Sequence, residues 1–232
     1  MSWFQLGPQE IAARARAAGS IRVPGLGAFL RRGISGFTIV SLAGFAPWSL
    51  AGRWFHQTIG EAGLYLTCAA VFIGLSGPLM HRLILGPDSL VRFYKLFGLA
   101  FAAYSVAWIA GWMSLRGQAG SLAGLLAGTA LMGWILCTAF DASRATLKVI
   151  GILFVLNALG YFGGGWVEGH IARLNEGIAG FAAEKKTRLI LAKMLWGLCY
   201  GAGFGAGLGL AFYCCQASAR RLVAGETAEV YR

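Results

Sequence analysis

Residues 189–215, LILAKMLWGLCYGAGFGAGLGLAFYCC, decide the fold. Past Lys193 the stretch carries no charge for 22 residues, and a helix needs about 20 mostly apolar residues to cross the hydrocarbon of a bilayer. The whole run is longer than the membrane is thick. The hydrocarbon span is therefore placed from Met194, with the Lys193 amine snorkelling outward. Within the span Gly197, Gly201, Gly205 and Gly209 recur every four residues, and Gly203 and Gly207 are offset by two. Small residues at that spacing let helix backbones approach closely in lipid.

Working outward, five more uncharged runs of at least 18 residues appear, over about 33–51, 62–80, 96–115, 120–140 and 149–167. In the fourth of the six, Gly120, Gly124 and Gly128 repeat the four-residue spacing. The two glycine-striped spans are expected to cross tightly with each other, with neighbours or with a second protomer. Composition agrees with a membrane chain. Of 232 residues 57% are hydrophobic and only 12% charged, and mean hydropathy is +0.65. Soluble domains carry about a quarter charged residues, so a soluble enzyme is excluded; 13% aromatic residues exclude disorder.

The sequence thus predicts an all-α, polytopic transmembrane bundle of six spans in a single membrane-embedded domain. Its parts are a cytoplasmic or interfacial segment 1–32, the bundle 33–215 and a tail 216–232. Orientation follows from Lys and Arg in the connections. With the N-terminus inside, 13 of the 20 cations fall on the cytoplasmic side and seven opposite. N-in and C-in is the expected topology, in a bacterial inner membrane. Trp48, Trp54, Trp112, Trp166 and Trp196 are expected as anchors at the outer interface, with Tyr94 and Tyr213 at the inner one. The first apolar run follows 32 residues with five arginines, too long for the leader of a cleaved signal, so the first helix is expected to remain as an anchor. The net charge of +11 is spread over every cytoplasmic connection, which is a topology signal and not a nucleic-acid surface.

Three stretches outside the spans carry structure. Over 8–19, Pro8 at a first helical position, Glu10 in the first turn, Arg14 and Arg16 near the end and Gly19 as terminator predict a short interfacial helix on an anionic leaflet. Over 81–95, Gly86, Pro87, Asp88 and Ser89 predict a turn and N-cap in a basic elbow. Over 168–188, Val167, Ile171, Leu174, Ile178 and Phe181 form one stripe and predict a helical external segment. It would lie on the leaflet, cap the bundle, or continue the fifth span as a helix broken at Gly163, Gly164 and Gly165.

Catalytic signatures are weak. Gly33-Ile34-Ser35-Gly36 and Gly74-Leu75-Ser76-Gly77 share the Gly-x-Ser-Gly spelling of rhomboid-type proteases, yet no span carries the histidine base that chemistry needs. A retinal-type Schiff base at Lys193 would need a carboxylate in lipid, and every acid lies in a tail, a loop or a span boundary. Glu168 and His170, beside Trp166, are two potential ligands where zinc sites take about three or four, so they read as external-loop residues and no metal or cofactor is expected. The five cysteines lie in or at the ends of spans and read as packing residues.

Asp141 closes the fourth span beside Arg144 and Lys148 and is a candidate guard of an inner pathway mouth. Asn157, deep in the fifth span, must bond a neighbouring helix or line a hydrated path, which Tyr161 one turn on would share. Asn157, Tyr161 and Asp141 are thus the candidate substrate path, and Gly124, Gly128, Gly197, Gly201, Gly205 and Gly209 the helix-packing residues.

With no buried acid or base pair in the spans, an autonomous ion-driven pump is disfavoured. In layout the chain is similar to the membrane subunit of type-two ABC exporters: six spans, both termini inside, an N-terminal interfacial helix over 8–19, an elbow over 81–95 and an external helical segment over 168–188. That similarity implies a cytoplasmic ATPase partner and assigns no residue. The leading expectation is the transmembrane component of a transport or translocation system for a lipid-like or small substrate, in contact with membrane lipids and acting as a homo-oligomer or with a membrane-protein partner. The alternative is a non-catalytic structural or assembly subunit. A membrane enzyme acting on lipids through Asp141 or the Glu168 and His170 pair ranks third.

Overall fold

The computed structural model describes residues 4–19, 23–173 and 185–225, and all regular structure among them is helical. The helices are α1 (Pro8–Ala17), α2 (Leu26–Thr58), α3 (Gly60–Met80), α4 (Ser89–Leu115), α5 (Gly117–Ala139), α6 (Thr146–Ala172), α7 (Lys185–Cys215) and α8 (Ala217–Val223), with 3-10 turns at His81–Leu83 and Ser143–Ala145. Helices α2 to α7 are each long and apolar enough to cross a membrane. Each of the six predicted runs falls on one of them. The helices overrun the apolar runs because charge does not end a helix. Arg31, Arg32, Arg92, Lys95 and Lys148 all continue helical backbone. What ends α2 and α4 is backbone: Gly60 and Gly117 follow them at φ of +74° and +56°, in the left-handed region that glycine adopts at no steric cost.

The six long helices form a closed ring in which each packs on its neighbours in sequence and α7 returns to α2. The most extensive contacts are those of α7 with α2 and α6, and the glycines explain why. Gly201, Gly205 and Gly209 face α2. A Cβ at Gly201 would lie 2.7 Å from the Thr38 Cα, and one at Gly209 would lie 2.6 Å from the Phe29 carbonyl oxygen. Gly203, on the offset stripe, faces α6, where a Cβ would come within 2.8 Å of the Gly160 Cα. On α5, Gly120, Gly124 and Gly128 seat against Gly111, Trp108 and Tyr104 of α4. The two glycine stripes thus pack on neighbouring helices and not on each other, and they are occupied inside one chain.

The centre of the ring is aromatic. Phe93, Phe97, Phe101 and Tyr104 of α4 face Tyr200, Phe204 and Phe212 of α7, with Phe37 and Phe72 between them. Phe29, Phe37, Phe93, Phe97, Phe140, Phe204 and Phe212 are fully buried. Offset or edge-on ring pairs add ~0.5–1.5 kcal/mol each beyond the area they bury. Outside the ring the polarity is inverted: Leu50, Leu66, Val106, Leu126, Trp134, Val155 and Leu159 are exposed on α2 to α6. An apolar belt of this kind suits hydrocarbon, and the protein is an integral, multi-pass membrane protein.

Helix α1 forms as predicted, with Gly7 N–H donating to the Glu10 carboxylate at 3.1 Å and Arg14 and Arg16 in the last turn. Its apolar residues Ile11, Ala12 and Ala15 are buried against the protein and not left for lipid. It packs on α8, where Arg16 donates to the Leu222 carbonyl at 3.1 Å. The elbow over 81–95 is pinned from the junction of α7 and α8: the Gln216 side chain accepts from Leu85 N–H at 2.9 Å and donates to Leu83 O at 2.8 Å. Buried Arg92 donates to the Leu85 and Pro87 carbonyls. At the same end Cys137 and Cys215 bring their Sγ atoms to 3.7 Å. Helix α6 runs unbroken through Gly163, Gly164 and Gly165, because Trp196 fills the space over Gly164 and donates from its indole to Tyr161 O at 2.8 Å. Of the external stripe, Val167 and Ile171 belong to α6, while Leu174, Ile178 and Phe181 lie outside the described residues.

Candidate functional site: an aromatic cavity in the ring

A cavity of about 830 Å³ occupies the half of the ring away from α1 and α8. All six long helices contribute to its wall: the second halves of α2, α4 and α6 and the first halves of α3, α5 and α7. Thirteen of its 23 lining residues are aromatic, and none is Asp, Glu, Lys, Arg or His. Its size lies within the ~300–1,000 Å³ usual for small-molecule sites.

Helical periodicity builds the wall. On α4, Phe101, Tyr104, Trp108 and Trp112 follow at steps of three and four and present one continuous face. On α7, Trp196 and Tyr200 do the same one turn apart. Phe45 and Trp48 of α2, Tyr65 and Phe72 of α3, and Tyr161 and Phe162 of α6 complete the enclosure. The floor is polar at one level. Asn157, fully buried on α6, donates to the Tyr104 hydroxyl at 2.9 Å, and that hydroxyl lies 3.3 Å from the Tyr200 hydroxyl. One amide thereby ties α6, α4 and α7 together. Its Oδ1 has no partner among the described residues. Higher on the wall the Tyr161 hydroxyl lies 3.1 Å from Ser121 Oγ, joining α6 to α5. Below the floor the buried phenylalanines close the ring on the side of α1 and α8.

Charge is confined to the mouth. Glu61 accepts from the Tyr65 hydroxyl at 2.9 Å and pairs with Arg116 at 3.5 Å, and the Arg116 guanidinium lies 4.7 Å from the centre of the Trp112 ring. The Lys193 amine lies 4.3 Å from the centre of the Trp48 ring and donates to Trp48 O at 3.4 Å. Both cations thus rest on the faces of cavity tryptophans.

The predicted site residues part company here. Tyr161 is in the cavity wall and Asn157 directly beneath its floor. Asp141 is at the opposite end, exposed, at a positive φ of 53°, with its carboxylate against Gly7 at the start of α1. A carboxylate there complements the positive end of that helix. Glu168 and His170 are on the last turns of α6; His170 is exposed and stacks on Trp166. No group of three potential metal ligands exists among the described residues. Gly197 packs under Phe45, a cavity residue, so the α2 stripe also sets the position of the wall.

The cavity itself is absent from the sequence reading. Trp48, Trp112 and Trp196 line the cavity at the ends of their spans; Trp54 is exposed, and Trp166 is exposed at the rim. The missed signal is the stripe at 93, 97, 101, 104, 108 and 112 on α4, aromatic at every position, matched on α7 by 196, 200, 204 and 212. Two such stripes in one bundle face each other more readily than they face lipid. No protein family, curated protein or solved structure matches the chain.

Proposed function

We propose that this protein is the substrate-holding transmembrane component of a transport or translocation system for a lipid-like or other small apolar substrate. The observation that carries the reading is the cavity, which is large, aromatic, free of Asp, Glu, Lys, Arg and His in its wall and enclosed by all six helices of a membrane-spanning ring. A wall of that kind favours an apolar occupant and offers no charged side chain to a bare ion. The buried phenylalanine layer beneath it is what must part for a substrate to pass, so transport requires a second arrangement of the ring. The absence of a buried acid or base from the wall favours a passive or partner-driven route, and a nucleotide-hydrolysing partner at the α1 and α8 end is one such source of energy. The excess of Lys and Arg on that end, 11 of the 18 among the described residues, supports its being cytoplasmic. The reading of a docking subunit loses its basis, since the glycine stripes that would have docked are occupied within the chain.

The test is reconstitution in liposomes with fluorescent lipid and small apolar dyes, with and without candidate nucleotide-driven partners. Transbilayer movement above that of protein-free vesicles is expected; its absence under every condition would overturn the reading.

A further inference from the structure

The mouth of the cavity adds what the wall lacks. Lys193 lies within α7, one turn before the cavity residue Trp196, and is half-buried over the Trp48 ring. Among the described residues no carboxylate stands within ion-pair distance of it, and Glu168 acts on it only as a more distant charge. The ammonium's contacts at the mouth are a carbonyl and a ring face, neither of them an anion, which makes it a candidate for contact with an anionic ligand group. The surrounding charge has the same sign. At this end of the bundle the described residues include Arg53, Arg116, Arg173, Lys185, Lys186, Arg188 and Lys193, against Glu61 and Glu168: seven cations to two anions. Arg116 is neutralised by Glu61, which leaves Lys193 as the cation beside the cavity wall that is open to an anion.

We infer that the cavity takes a single-chain amphiphile with an anionic oxygen head, whose apolar body lies among the aromatic rings and whose head meets the Lys193 amine. This rests on the cavity being a substrate site and names the class of substrate. An organic cation, which aromatic walls also attract, would have to enter against this charge and displace Lys193 and Arg116 from the ring faces they already cover. A two-headed or zwitterionic ligand would bring a positive group to the same place.

The experiment uses the full chain in nanodiscs of neutral lipid and a matched pair of probes: 11-(dansylamino)undecanoic acid and its N-methylamide, which differ in the head charge alone. Energy transfer from the cavity tryptophans reports binding, and an Ala69→Trp variant, which obstructs the cavity, supplies the baseline for partition into the bilayer. The acid is expected to bind the native protein about tenfold more tightly than the amide. Lys193→Met should erase that difference by weakening the acid more than the amide, and Lys193→Arg should keep it. Lys193→Gln repeats the test should the methionine variant fail to fold. Equal binding of acid and amide to the native protein, or equal loss of both in the Lys193 variants, overturns the inference and leaves the cavity reading standing. Failure of either probe to exceed the Ala69→Trp baseline overturns both.

Discussion

Tyr104 stands where three helices meet. Its hydroxyl accepts from Asn157 of α6 at 2.9 Å and lies 3.3 Å from Tyr200 of α7, while its ring packs under Gly128 of α5 and on Phe204. In a bundle whose interior is mostly apolar, this amide and two hydroxyls help fix the relative height of three helices, because an amide buried in a membrane protein has no water to fall back on. Tyr104→Phe leaves the Asn157 amide without its acceptor and is expected to cost about 1 kcal/mol of stability, near the middle of the range for interhelical hydrogen bonds in membranes. Tyr200→Phe leaves the Asn157 bond in place and should cost less. Thermal unfolding of the two variants in the same detergent checks the order; a larger loss for Tyr200→Phe would contradict it. The need of Asn157 for an interhelical partner could be read from the sequence, since depth in a span demands one. That the partner is Tyr104, 53 residues away, depends on ring closure, which no local pattern encodes.

At the scale of the element, α7 is the axis of the structure, with one glycine face for α2 and a second for α6. The approach is so close that the atoms a Cβ would meet are backbone, which cannot swing aside as a side-chain tip can. Gly205→Leu is therefore expected to exceed the ~1–3 kcal/mol usual for an overpacked core and to abolish the folded protein. Gly151→Leu on α6, where a Cβ would meet nothing within 4 Å, should be neutral or mildly stabilising, since glycine inside a helix costs about 0.5–1 kcal/mol relative to alanine. Size-exclusion profiles and thermal unfolding of the two variants check the pair, and an intact Gly205→Leu protein would remove the packing account. Sequence spacing singled these glycines out, and in the structure each lies against a neighbouring helix. It could not say which helix they face, because close approach looks the same from one side. It also erred at Gly163 to Gly165, where three glycines suggested a break: the indole of Trp196 from the neighbouring helix supports the backbone there, a tertiary effect that local propensity does not contain.

For the whole molecule, the length and apolarity of the six runs were legible from the first reading because the bilayer imposes both. The interior was not, because periodicity gives the face of a helix but not whether that face meets lipid or protein. The tryptophans made the difference: at the ends of spans they suit an interface, and at the ends of spans in a closed ring they also suit the wall of a cavity. The central claim is that this wall holds the substrate, and photo-labelling tests it most directly. The full-length protein in liposomes is exposed to an alkyl probe carrying a diazirine at mid-chain, and labelled residues are located by peptide mass spectrometry. The account predicts label on the inward residues Cys68, Ala69, Ser105 and Ile109, lost when Ala69→Trp obstructs the space. Label confined to the outward residues Leu50, Leu66, Val106 and Leu159, and unchanged by that substitution, would contradict it.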